Sequence, residues 1–131
     1  MEAVLKHNAV DSTGTRRDLR KRTFDFASGI VRLYVALDKG ALAQTLGRQV
    51  LRSGTSVGAN YREADQARSK AEFVAKIGDC LKEADETSFW LELLASEKIA
   101  PPEKLAVLAD EANQLVAIFT TIRRRAQLNS P

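Results

Sequence analysis

The chain has 131 residues, of which 44% are hydrophobic and only 6% aromatic, with three prolines, seven glycines and a net charge of +3. That length and balance fit one aliphatic core and exclude a disordered or fibrous chain. Alternating Val, Ile and Thr runs of strand type are missing, and a lone cysteine, Cys80, excludes an intrachain disulfide.

Charge is unevenly spread. Six Lys or Arg against three acids stand before Thr23, and Arg123, Arg124 and Arg125 stand near the other end, which leaves the body between them net acidic. Basic ends attract a polyanion by releasing its counterions, or they serve only to keep the chain in solution. Residues 1–22 read as a flexible basic tail, 23–127 as the folded domain and 128–131 as a frayed end. The tail is unlike a targeting peptide and no long apolar run is read, so a cytoplasmic protein without a membrane is expected.

The segment TFDFASGIVRLYVALDKG places Phe24, Ala27, Val31, Tyr34 and Leu37 at helical spacing, flanked by Phe26, Ile30 and Leu33. This predicts a helix with a wide apolar face, starting between Asp18 and Thr23 and stopping at a left-handed Gly40. A second helix is expected from about Ala41 to Arg68, on Leu42, Leu46, Val50, Val57, Tyr61 and Ala64. Ser53 and Gly54 interrupt it, at a cost of about 1 kcal/mol for the glycine. A packed bundle absorbs that cost, so one long helix is preferred over two short ones.

Ser69 and Glu72 form a capping box that restarts the chain. The third helix carries Phe73, Ile77, Cys80 or Leu81, Ala84, Ser88, Leu91 and Leu94 toward the core, with a second face of Phe89, Trp90 and Leu93 beside Glu83 and Glu86. One apolar stripe suffices for a helix in a monomer, so the second predicts burial against another subunit or, alternatively, more core. The turn EKIAPP ends this helix and Pro102 starts the next. Leu105, Leu108, Ala112, Leu115, Phe119, Ile122 and Ala126 then give a coiled-coil-like seam. The expected fold is all-α, an antiparallel up-down-up-down four-helix bundle.

No catalytic constellation is legible. The only histidine is His7, so the Glu-x-x-His motifs of paired-metal bundles are missing. Glu63, Glu83 and Glu86 are expected to pair with arginines instead of holding a hard cation. Cys80, on an apolar stripe with only Lys76 at helical spacing, reads as a buried structural thiol. Ser53, Thr55 and Ser56 lack a base, and the nearby glycines lack the spacing and lysine of a phosphate loop. The chain reads as a non-enzyme with no cofactor and no metal.

Gly54 and Gly58, one turn apart, instead predict a strip where another helix approaches closely. Ser56, Asn60 and Glu63 form an adjacent polar line, with Ser56 and Asn60 within hydrogen-bonding reach. Such a line fits a register seam between helices or subunits; the alternative is a groove for a small ligand or protein partner. From Leu46 to Lys70 five basic residues oppose two acids, and from Ala71 to Glu97 seven acids oppose two lysines. Those helices complement each other within or between chains, or are two solvated faces of opposite sign.

The runs LRSGTSVGANYREADQARS, LKEADETSFWLELL and FDFASGIVRLYVAL resemble the four-helix bundle family of 23S rRNA intervening-sequence proteins, over about Thr23 to Ile122. The residues that carry the likeness are Ser56, Asn60, Glu63, Ser69, Phe73, Lys82, Glu83, Glu86, Thr87 and Trp90. The resemblance implies a homo-oligomeric ring, typically a pentamer, with no established enzymatic activity. A similar basic bundle is the accessory protein of diversity-generating retroelements, where it binds nucleic acid and the reverse transcriptase; the net acidic body here departs from that pattern. The expected partners are thus other copies of the chain and RNA, DNA or a nucleic-acid enzyme. Arg48, Arg52, Arg62, Arg68, Arg123, Arg124 and Arg125 are the candidate phosphate contacts. Gly54, Ser56, Gly58, Asn60, Glu63, Glu83, Glu86, Phe89, Trp90 and Leu93 are the candidate packing and oligomer-interface residues.

Overall fold

A computed structural model describes residues 13–129. It comprises α1 Thr13–Ala36, α2 Ala41–Asp65, α3 Lys70–Ser96 and α4 Pro102–Leu128, with no strand among the described residues. Connections this short oblige each helix to fold back along the one before it. The contacts follow that reversal, because residue numbers rise along α1 as they fall along α2, through Arg20 with Asp65, Thr23 with Gly58, Ile30 with Gly54 and Leu37 with Gly47. Glu63 with Lys76 and Ser53 with Thr87 do the same for α2 and α3, and Gly78 with Arg123 and Ser88 with Asn113 for α3 and α4. The bundle is antiparallel throughout.

Helix α1 starts at Thr13, inside the segment read as tail; residues 1–12 and 130–131 lie outside the described part. The extra turns are held because Leu19 is buried, Arg20 pairs with Asp65 and Arg22 with Glu111. Its core face also differs from the stripe expected. Phe26, Ile30, Leu33 and Leu37 are buried, whereas Phe24 is 60% and Val31 42% exposed. Both sets have helical spacing, and a helix at the corner of a bundle can bury only one arc. The buried arc is the one whose side chains meet the glycines of α2.

Gly40 does not adopt the left-handed conformation expected of it. Its φ of −68° and ψ of 163° are extended, and it forms the N-cap of α2 while its N–H donates to the Asp38 carboxylate at 2.8 Å. Among the described residues the left-handed one is Lys98, with φ 57°, after α3. There the Lys98 N–H donates to the Ala95 carbonyl and the Ile99 N–H to the Leu94 carbonyl, a Schellman ending with Ile99 packed on the core. Ser69 caps α3 by accepting the Glu72 N–H at 3.0 Å, and Pro102 is the first residue of α4, both as their residue types dictate.

Helix α2 runs unbroken through Ser53 and Gly54. A Cβ on Gly54 would lie 2.7 Å from Ile30 Cγ1, and one on Gly47 2.6 Å from Leu37 Cδ1. The glycines therefore let α1 approach, and each isoleucine or leucine seated there contributes roughly 1.5–3 kcal/mol by burial. On the opposite flank Ser53 and Thr87 are fully buried, their hydroxyls 2.8 Å apart. Thr87 Oγ1 also lies 2.7 Å from the Glu83 carbonyl and Ser53 Oγ 3.5 Å from the Val50 carbonyl, so both buried hydroxyls have hydrogen-bond partners. Helix α4 is long and apolar enough by composition to cross a bilayer, but its Leu105, Ala112, Leu115, Phe119 and Ala126 are buried in the bundle core.

Candidate functional site

Topology places the start of α1, the α2–α3 turn and the end of α4 at one end of the bundle. The Arg20 to Asp65 ion pair at 3.3 Å and the seating of Arg123 over Gly78 tie these three chain segments together. Arg62, Arg68, Arg124 and Arg125 are exposed there, with half-buried Lys70 beside them. None of these five has an ion-pair partner among the described residues. Their separation in sequence gives no hint of this convergence. Arg20, Lys21 and Arg62 also surround Phe24 in a cleft of about 370 Å³, so an exposed aromatic face stands among three cations. Lys21 is shared with Asp25 at 2.7 Å, and that hydrogen bond raises the pKa of the ammonium.

Two of the arginines proposed for phosphate stand elsewhere. Arg48 is exposed on α2, roughly 20 Å along the axis from Arg62 at 1.5 Å per residue. Arg52 pairs with Glu83 at 3.2 Å and with Glu86, so its charge is already committed. Glu86 in turn accepts the Trp90 indole N–H at 3.0 Å. This chain of contacts fixes Trp90, half-buried, against α2, while Phe89 stands edge-on to it at 5.0 Å and is 53% exposed.

The residues offered as packing or interface positions divide between two flanks of α2. Gly54 and Gly58 face α1 inside the chain. Ser56, Asn60 and Glu63 share the flank toward α3, where Lys76 meets Glu63 and Glu83 and Glu86 meet Arg52; Phe89, Trp90 and Leu93 lie further along α3, past the level of Arg52. Ser56 bonds the Arg52 carbonyl at 2.7 Å instead of Asn60, the usual choice of a serine within a helix. Glu63 accepts from Lys76 at 2.6 Å, which raises the lysine pKa. Gly47 and Thr87 complete these contacts; a second glycine one face away and a threonine one turn after Glu83 were the available signals.

Larger clefts of about 650 and 410 Å³ run between α1 and α4, away from the polar line. The charged wall of the larger one is cross-tied, since Arg22 donates to Glu111 at 2.6 and 2.8 Å and to Gln114 at 2.7 Å, and the Glu111 bond raises the arginine pKa. Cys80 is buried and burial pushes its thiol up to about 12, so it is protonated at neutral pH and no nucleophile. Among the described residues no three His, Cys, Asp or Glu side chains gather to hold a metal ion.

This is the architecture of a four-helix bundle protein. The sequence pattern of the 23S rRNA-intervening sequence protein family matches residues 16–121, and the chain belongs to that family. The match reaches back before Thr23, in keeping with the early start of α1. The chain is similar, at 36% identity and a TM-score of 0.78, to a crystal structure from Bacteroides thetaiotaomicron VPI-5482, a protein of unknown function in the S23 ribosomal protein family. The likeness covers 83% of this chain and 97% of that one. No curated protein matches. Neither the family description nor that structure names an enzymatic activity.

Proposed function

We propose that this protein is a non-enzymatic accessory protein that assembles with copies of itself and holds nucleic acid at the basic end of the bundle. The observation that carries the reading is the convergence of Arg62, Arg68, Lys70, Arg124 and Arg125, without ion-pair partners among the described residues, beside the exposed Phe24 ring. Unpaired cations bind phosphates by counterion release, and an exposed aromatic face accepts a stacked base from a single strand. Self-assembly is supported by apolar side chains left in water, among them Val35 at 65% and Phe89 at 53% exposure.

Gel-shift titration of purified protein with RNA and DNA at low ionic strength tests the nucleic-acid part. Retention that weakens with added salt is expected; no retention at low ionic strength rules that part out. The Ser56, Asn60 and Glu63 line supports no stronger alternative, because Ser56 and Glu63 are already engaged within the chain.

A further inference from the structure

Phe24 occupies a place in α1 that packing does not require. Phe26, two residues on, is buried in the core, whereas Phe24 is 60% exposed and stands against no other aromatic ring among the described residues. Its cleft of about 370 Å³ is walled by Arg20, Lys21 and Arg62. We infer that this cleft seats one nucleotide of a single strand: a base stacks on the Phe24 ring and the adjoining phosphate lies on Arg62. The inference rests on the nucleic-acid reading above and names the form of nucleic acid that the basic end selects.

Of the three cations around the ring, only Arg62 is uncommitted. Arg20 is held by Asp65 at 3.3 Å and Lys21 by Asp25 at 2.7 Å. Arg62 is exposed and makes no ion pair among the described residues, so an anion entering the cleft meets it without breaking an existing pair. Packing fixes where Arg62 stands. A Cβ on Gly58 would lie 3.3 Å from the Thr23 carbonyl oxygen, so α1 and α2 run close together at that level. Arg62 is one turn beyond Gly58 and falls between this contact and the Arg20 to Asp65 pair. Ring and guanidinium thus project from two packed helices, and no backbone has to be ordered when a ligand joins them.

Only an unpaired strand can use the ring. In a duplex each base is covered on both faces by its neighbours and the phosphates face outward. In a single strand a base can turn out and stack whatever its identity, because every base has a π-face. Arg68, Lys70, Arg124 and Arg125 attract the phosphates of either form. Phe89, the other exposed aromatic side chain among the described residues, belongs to α3 and stands edge-on to Trp90. Charge therefore sets how tightly the basic end binds, and Phe24 sets which form it prefers.

The test measures fluorescence anisotropy of two labelled probes, a short oligouridine, whose bases neither pair nor stack strongly, and a short blunt RNA duplex. Phe24→Ala and Phe24→Leu change a position more than half exposed, and circular dichroism verifies that both variants fold. Each should weaken oligouridine binding about tenfold or more and duplex binding less than about twofold, with the salt slope unchanged. The leucine keeps an apolar side chain but has no π-face. Phe24→Trp should retain oligouridine affinity, with its added indole emission quenched by the probe. Arg62→Gln should lower the salt slope for oligouridine by about 0.7. Equal losses on the two probes, full affinity in Phe24→Leu, or an unchanged slope in Arg62→Gln overturns the seat and leaves binding at the basic end standing. A change of assembly size in Phe24→Ala by light scattering assigns the ring to a contact between copies and also overturns the seat. No binding of either probe to the unaltered chain overturns both.

Discussion

The two ends of this bundle are made by the same topology from opposite materials. At one end Arg62, Arg68, Lys70, Arg124 and Arg125 stand together with no side-chain ion pair among the described residues, while the nearby Asp65 and Glu63 are paired with Arg20 and Lys76. At the other, the α1–α2 and α3–α4 connections bring Asp38 and Glu97 alongside Lys39, Lys98 and Lys104, with signs interspersed. Asp38 is occupied in accepting the Gly40 N–H. The fold is indifferent to this difference, since both ends are solvated and the core lies between them. The charge at the basic end is therefore not needed to hold the bundle together, which depends on the core between the two ends.

Substitutions in the middle should move stability without touching that contrast. Gly54→Ala carries the largest effect, a loss of up to about 2 kcal/mol, because the new methyl meets the fully buried, β-branched Ile30 at 2.7 Å. Overpacking of this kind costs about 1–3 kcal/mol, of which the better helix propensity of alanine returns about 1. Urea unfolding measures it, and the salt dependence of nucleic-acid binding should be unchanged.

Cys80 gives a pH signature that neither end shares. Its thiol is raised from an ordinary 9.0 to about 12 by burial, so below pH 9 both folded and unfolded states are protonated and the stabilisation is complete. As pH rises from 9 towards 12 only the unfolded chain loses the proton, and stability falls by up to about 1.4 kcal/mol per pH unit. Unfolding of Cys80→Ala across that window should show a slope shallower by this amount.

The turns at the two ends respond oppositely to substitution. Ser69→Ala removes the cap beside the basic end and should cost about 1 kcal/mol. Lys98→Gly relieves a side chain held at φ 57° at the other end and should gain about 0.5–1 kcal/mol. Thermal melts of the two variants should move in opposite directions.

Much of the scaffold was legible in the residues themselves. Ser69 with Glu72, and Pro102 after EKIAP, mark helix starts by local chemistry, and the α4 seam follows from spacing alone. The face of α1 was not, because Phe24 and Val31 share helical spacing with Phe26, Ile30 and Leu33, and only the glycines of α2 decide which arc is buried. Gly40 misled because an aspartate two residues earlier offered its N–H a partner in an extended conformation. Among the site residues, Arg52 sits level with Glu83 and Glu86 only once α2 and α3 are in register. Likewise Arg62, Arg68 and the Arg124 and Arg125 pair become neighbours through topology, which local pattern does not encode.

Nucleic acid is proposed to bind at one end of the bundle, and not through the charge of the protein in general. Binding of a labelled single-stranded RNA over a series of salt concentrations tests it on three proteins: the unaltered chain, Arg68→Glu/Arg124→Glu/Arg125→Glu, and Lys98→Glu/Lys104→Glu. Five phosphate contacts at about 0.7 each predict a log–log salt slope of about −3 to −4 for the unaltered chain. A loss of about a hundredfold or more is expected for the basic-end variant and less than about twofold for the other. Equal losses from the two ends, or an affinity that ignores salt, would contradict it.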